Sequence, residues 1–175
     1  MEFVTGHHIT RLSARMVTVF DRRPAESGSD AVGTEDAATM LFETDQGACG
    51  AVVISQVSPG RKNRLWFSFD GAETSFSFDQ ENPDSLWIGG RAFNQLVMRG
   101  AEGTSEAAAR YSILPAGHPQ GYQDCFNAFV ADTYAAVTGA QPDGLPTFAD
   151  GLRAAILTQA VVDSASSRAW VEVPE

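Results

Sequence analysis

The stretch NRLWFSFDGAETSFSFDQ, residues 63–80, decides how the chain is read. Leu65, Phe67 and Phe69 alternate with Trp66, Ser68 and Asp70, and after Asp70-Gly71 the aromatics Phe76 and Phe78 alternate with Ser75, Ser77 and Asp79. Side chains of a strand point to opposite faces with a period of two, and Asp-Gly is a strong hairpin turn, so the stretch is a β-hairpin. One of its faces is aromatic and must be covered. Downstream, DSLWIGG (84–90) and NQLVMRG (94–100) supply two further short strands. Upstream, AATMLFETDQGACGAVVISQVS (37–58) has two apolar runs separated by Asp45-Gln46-Gly47, a second hairpin. HHITRLSARMVTVF (7–20) is rich in β-branched residues and suits a strand.

Between these segments, DRRPAESGSDAVGTED (21–36) has the composition of an exposed loop, and EGTSEAAARYSILP (102–115) reads as a mobile connection that becomes extended before Pro115. Two helices follow. From Tyr122 onward Phe126, Phe129, Val130, Tyr134 and Val137 recur at helical spacing until Gly139, and a second helix from about Phe148 carries Leu152, Ala155, Ile156, Gln159 and Val162 on one stripe. RAWVEVP (168–174) looks like a strand returning to the sheet. Strands first and helices afterwards is the α+β pattern, predicting a large open, mainly antiparallel sheet with helices packed on one face. A length of 175 residues suits a single domain spanning 1–175.

Twenty-two acidic against twelve basic side chains leave a net charge of -10, which repels phosphate backbones and anionic lipid. Nucleic acid and membrane are therefore not the expected partners, and with no charged-then-apolar leader or long apolar run the expectation is a soluble, cytoplasmic protein. Cys49 and Cys125, the only cysteines, lack paired spacing and read as buried free thiols. Met1–Gly6 reads like the last turn of a helix closed by glycine, as if the chain were cut from something longer.

No GxGxxG follows a strand and no GxxxxGK[ST] loop occurs, so no cofactor site is expected within the chain. Adjacent His7 and His8 fall on opposite faces of a strand with no ligand-spaced partner, no metal site is expected, and no serine sits in a nucleophile elbow. SPGRKNR (58–64) gathers Arg61, Lys62 and Arg64 into one turn, which either holds a substrate carboxylate or phosphate or counters the acidic surface. In LPAGHPQGYQDCFNAF (114–129), His118 stands between Gly117 and Pro119, residues that constrain the backbone. It either exchanges a proton or hydrogen bond with a ligand or packs at the start of a helix.

GRKNRLWFSFDGAETSFSFDQENPDSLWIG, LPAGHPQGYQDCFNAF and TFADGLRAAILTQAVVDSASSRAWVEV, in this order and spacing, resemble the C-terminal domain of the Gfo/Idh/MocA family of glucose-fructose oxidoreductases and inositol dehydrogenases. The resemblance implies that the chain is the substrate-binding and oligomerisation half of an NAD- or NADP-dependent sugar or polyol oxidoreductase, a homo-oligomer through its sheet face. The family's nicotinamide-binding Rossmann half, with its Glu-Lys-Pro lysine, and the Gly-x-His-x-x-Asp type pair that precedes the EFVTG segment are not in the sequence. The chain alone is thus expected to be inactive, with no catalytic residue of its own. What the resemblance assigns it are substrate contacts: His118 on the loop before the first long helix, Tyr122 four residues on, and Arg61 with Lys62. The alternative is a stand-alone, cofactor-free module that binds a small molecule or dimerises.

Overall fold

The computed structural model describes residues 1–175, which divide into two compact units, Met1–Gly60 with Pro146–Glu175, and Arg61–Leu145. The first unit opens with a single helical turn, α1 (Glu2–Thr5), closed by Gly6 in the left-handed conformation (φ 68°). Its strands are β1 (Ile9–Val17), β2 (Arg22–Ala25), β3 (Gly28–Ala31), β4 (Ala37–Thr44) and β5 (Cys49–Ser55). In the second unit follow β6 (Trp66–Asp70), β7 (Thr74–Asp79), β8 (Ser85–Gly90), β9 (Asn94–Met98), α2 (Glu106–Tyr111) and α3 (Tyr122–Val137). The chain returns to the first unit with α4 (Phe148–Ser167) and the short β10 (Val171–Glu172). The class is α+β with open antiparallel sheets. The strands form two four-stranded sheets, β10-β1-β4-β5 and β6-β7-β8-β9, with β2-β3 as a separate ribbon.

In the first unit α4 lies on one face of its sheet. Leu12, Ala14, Ile9 and Phe42 from the strands meet Ala160 and Val173, with Met40, Val52, Ile156, Leu157 and Val161 packed around them. The buried stripe of α4 is therefore Ile156, Leu157, Ala160, Val161 and Ser164, not the stripe through Leu152 and Val162, both of which are exposed. Both stripes are apolar, so periodicity alone does not choose between them; the sheet does. Helix α4 begins with a capping box in which the Thr147 hydroxyl and amide donate to the Asp150 carboxylate (2.6 and 2.7 Å).

Two of the three buried polar residues of this unit, Ser164 and Asp36, hold its backbone together. The backbone groups of Thr10, Leu12 and Ala14 point to the β10 side of β1, as Val173 N–H donating to Thr10 C=O shows (2.8 Å). Strand β10 is too short to reach Ala14, and the Ser164 hydroxyl of α4 accepts the Ala14 N–H instead (2.8 Å) while donating to Ala169 C=O (2.5 Å). An unpaired buried N–H would be costly, which accounts for a fully buried serine in an apolar interface. Asp36 is the second: its carboxylate accepts the amides of Val19 and Phe20 (2.7 and 3.1 Å) and pairs with Arg23.

The second unit is a meander whose registers pair Phe67 with Phe78 and Phe69 with Phe76, as the alternation requires. Phe67 stacks at 5.2 Å on Phe69 and 5.5 Å on Phe78, between ring centroids. The other face carries Trp66, Trp87, Leu96 and Met98, all exposed.

Three expectations need correction. Residues 21–36 contain the β2-β3 hairpin, missed because its strands have no apolar alternation and are held by polar contacts such as Arg22 Nε to Ser29 Oγ (2.9 Å). Residues 102–115 contain α2, whose EAAAR run is strongly helix-forming and whose Ser105 hydroxyl accepts the Ala108 amide. Cys49 and Cys125 are free but exposed, because Cys49 faces away from the α4 side of the sheet and Cys125 sits off any covered stripe of α3. The face of α3 through Phe126, Phe129, Val130, Tyr134 and Val137 is itself exposed within this unit.

Candidate functional site

His118 belongs to a tight turn. Pro115 C=O accepts the His118 N–H (3.1 Å), and Gly117, third in the turn, has φ 84°, the value of a type II turn that glycine adopts without strain. This is the physical reason for the glycine before the histidine. The imidazole is exposed and has no hydrogen-bond partner in the structure, so it is free to meet a ligand. Tyr122 opens α3, exposed, with its ring 4.9 Å from that of Phe126 one turn on. At the same junction Gly121 N–H donates to the Asp124 carboxylate (2.8 Å), satisfying one of the free amides of the helix start.

A cavity of about 210 Å³ lies against this turn, lined by Asp84, Met98, Arg99, Ala116, Gly117 and Pro119. It has a cation and an anion in its wall, since Arg99 Nε donates to Asp84 Oδ1 at 2.7 Å. Arg61 faces Glu81 (3.5 Å) in the loop between β7 and β8, and Lys62 is exposed. That loop also receives Gly121, where a side chain would come within 3.8 Å of Pro83. His118 and Tyr122 stand four residues apart at the start of α3, and no hydrogen bond or ion pair joins them to each other or to Arg61 or Lys62. Sequence reasoning missed Asp84 and Arg99, because a pairing between a loop and a strand end leaves no periodic trace.

The first unit has a larger hollow of about 400 Å³ beneath α4, walled by Leu12, Met16, Met40, Ile54, Leu157 and Val161 among others. Asp36 at its edge is already fully engaged. Three carboxylates stand below their ordinary range, and each is explained by a structural duty. The amides of Val19 and Phe20, then Arg23, lower Asp36 against the opposing effect of burial. For Glu2 burial raises the value, but hydrogen bonds from Arg153 and the Ile9 amide outweigh it. Thr147 lowers Asp150 through its hydroxyl and its amide. None is a proton donor poised near neutrality.

The strands of this chain do not form the parallel unit that holds a dinucleotide's pyrophosphate in a Rossmann fold. Every strand pair is antiparallel, so no strand-crossover-parallel strand unit exists to present a pyrophosphate to a helix start. The one strand that leads through glycines into a helix is β9, by Gly100 and Gly103. There the Ser105 hydroxyl already occupies an amide of the six-residue α2, and Glu102 and Glu106 flank the start with like charge.

No protein-family profile matches the chain. Levoglucosan dehydrogenase of Pseudarthrobacter phenanthrenivorans is 28% identical over 184 residues, which cover 94% of this chain and 46% of that protein. The crystal structure of an oxidoreductase domain protein from Kribbella flavida superposes with a TM-score of 0.87 at 30% identity, over 99% of this chain and 47% of that one. The chain matches a C-terminal domain of the Gfo/Idh/MocA family. Levoglucosan dehydrogenase in complex with NADH and L-sorbose shows the same likeness to this chain, with a TM-score of 0.83 at 25% identity over 96% of this chain and 45% of that one. The chain therefore spans about half the length of the relatives it matches.

Proposed function

We propose that this chain is the substrate-contacting and oligomer-forming half of an NAD- or NADP-dependent sugar or polyol oxidoreductase. The observation that carries the reading is the likeness, over nearly all of the chain, to levoglucosan dehydrogenase, a protein whose structure holds NADH with a sugar. In this reading His118 and Tyr122 offer hydrogen-bonding groups to substrate hydroxyls from the junction before α3, and Arg61 and Lys62 add positive charge from the neighbouring hairpin. In this reading the nicotinamide and the proton-transferring groups belong to the other half, a reading that the all-antiparallel strand pairing of this chain supports. The exposed face with Trp66, Trp87, Leu96 and Met98 is the oligomer interface. Aromatic and Met side chains are enriched at interfaces, and a two-fold mate can meet an open sheet face with the same surface.

The test is an assay of the full-length gene product with NAD or NADP and a panel containing levoglucosan, L-sorbose and inositol. Turnover is expected with at least one of them, and His118→Ala should weaken kcat/KM by about 1–3 kcal/mol, the loss of one hydrogen bond to substrate. No nicotinamide reduction or oxidation with any panel member would refute the activity. Unchanged kinetics in the variant would remove His118 from the site.

A further inference from the structure

The Arg99 side chain, next after β9, has only 14% of its surface exposed, and each of its three guanidinium nitrogens donates to an acceptor. Nε donates to Asp84 Oδ1 (2.7 Å), Nη1 to the Leu114 carbonyl (2.8 Å) and Nη2 to the His118 carbonyl (2.6 Å). The backbone repeats the tie to the loop before β8, with Arg99 N–H donating to Asp84 C=O (2.8 Å). Leu114 and His118 bracket the Pro115–His118 turn. One rigid, planar fork thus grips both ends of the turn that presents the imidazole, a geometry that a lysine ammonium cannot reproduce.

From the opposite side the Gln120 carboxamide oxygen accepts the amides of Ile113 and Leu114 (3.1 and 3.3 Å), and its NH₂ donates to the Tyr111 carbonyl. Leu114 is therefore held by its carbonyl and by its amide at once. The imidazole of His118 has no side-chain partner, so its place is set by its backbone, and its backbone by Arg99. The cavity of about 210 Å³ is bounded by this clamp and by the turn it holds.

We propose that Arg99, oriented by Asp84, is a positioning residue that sets His118 and shapes the cavity beside it for substrate. The proposal rests on the reading of His118 as a substrate contact. Its test uses Arg99→Lys, with Asp84→Asn as the milder change, in the full-length protein. Amide exchange across residues 112–120 should rise about tenfold in either variant while β6–β8 amides keep their rates, the signature of local opening and not global loss of stability. In the kinetic arm KM for the sugar should rise about tenfold with kcat changed less, and Arg99→Lys added to His118→Ala should cost nothing further. Unchanged exchange in both variants would overturn the clamp, and so would fully additive effects of Arg99→Lys and His118→Ala. A His118→Ala variant with wild-type kinetics would instead sink the reading of His118, even where the exchange result stands.

Discussion

Replacing Gly50 by alanine would drive a methyl group into the ring of Phe42, its cross-strand partner in the β4-β5 pair. The added carbon would stand 2.2 Å from Cζ, 2.7 Å from Cε1 and 2.9 Å from Cε2. Carbon atoms rest at about 3.5 Å or more, so the ring must retreat by roughly 1.3 Å. Phe42 is only 7% exposed and belongs to the core under α4, which leaves it nowhere to go. Overpacking of this kind costs about 1–3 kcal/mol, and replacing a strand glycine by alanine returns about 0.5–1 kcal/mol, for a net loss of about 1–2 kcal/mol. Gly89 is the built-in control. A methyl there would stand 2.3 Å from Cη2 of Trp87, almost the same clash, but Trp87 is 38% exposed and its ring can swing into solvent. Gly89→Ala is therefore expected to stay within about 0.5 kcal/mol of the wild type. Urea unfolding followed by far-UV circular dichroism measures both, and repeating Gly50→Ala on a Phe42→Leu background should abolish its cost. Equal costs for the two glycines, or the same cost of Gly50→Ala with and without the ring, would refute this account.

Ser164→Ala should destabilise the protein by about 1–3 kcal/mol, since it leaves the buried Ala14 amide without an acceptor, and thermal melting against the wild type checks it. Asp36 is held below the ordinary aspartate value by the Val19 and Phe20 amides first and Arg23 after them, so its contribution is fully present above about pH 3.9 and is lost as pH falls through the lower folded value. The melting gap between wild type and Asp36→Asn should accordingly be constant at neutral pH and close in acid. A gap independent of pH would deny the carboxylate that role.

The residues that alternate were legible. Phe67, Phe69, Phe76 and Phe78 place β6 and β7 correctly because a two-residue period has one structural solution when a face must be covered. Polar elements were not: β2 and β3 pair through backbone and Arg22, and α2 is defined by helix propensity and a serine cap within a stretch that reads as a loop. In the candidate site, the Gly117-His118-Pro119 constraint was readable, and the structure supplies its reason in the positive φ of Gly117. The Asp84–Arg99 pair was not readable. It joins residues that belong to different elements, and only tertiary structure brings a loop carboxylate, a strand-end guanidinium and two carbonyls of a later turn together.

The Ser164 hydroxyl has a consequence for the way the first sheet can grow. On the β1 side the ladder stops at a two-residue strand, and the next free amide is already taken by a helix-borne oxygen, so a further strand finds little to add to. On the other side β5 runs for seven residues with Val53 and Ile54 exposed and its outer backbone groups unclaimed by any strand of this chain. Open edges of that kind are templates for pairing. The two margins of the sheet thus differ in what they offer a further strand: a two-residue strand with the next amide capped by a side chain on one side, and the seven residues Cys49–Ser55 on the other.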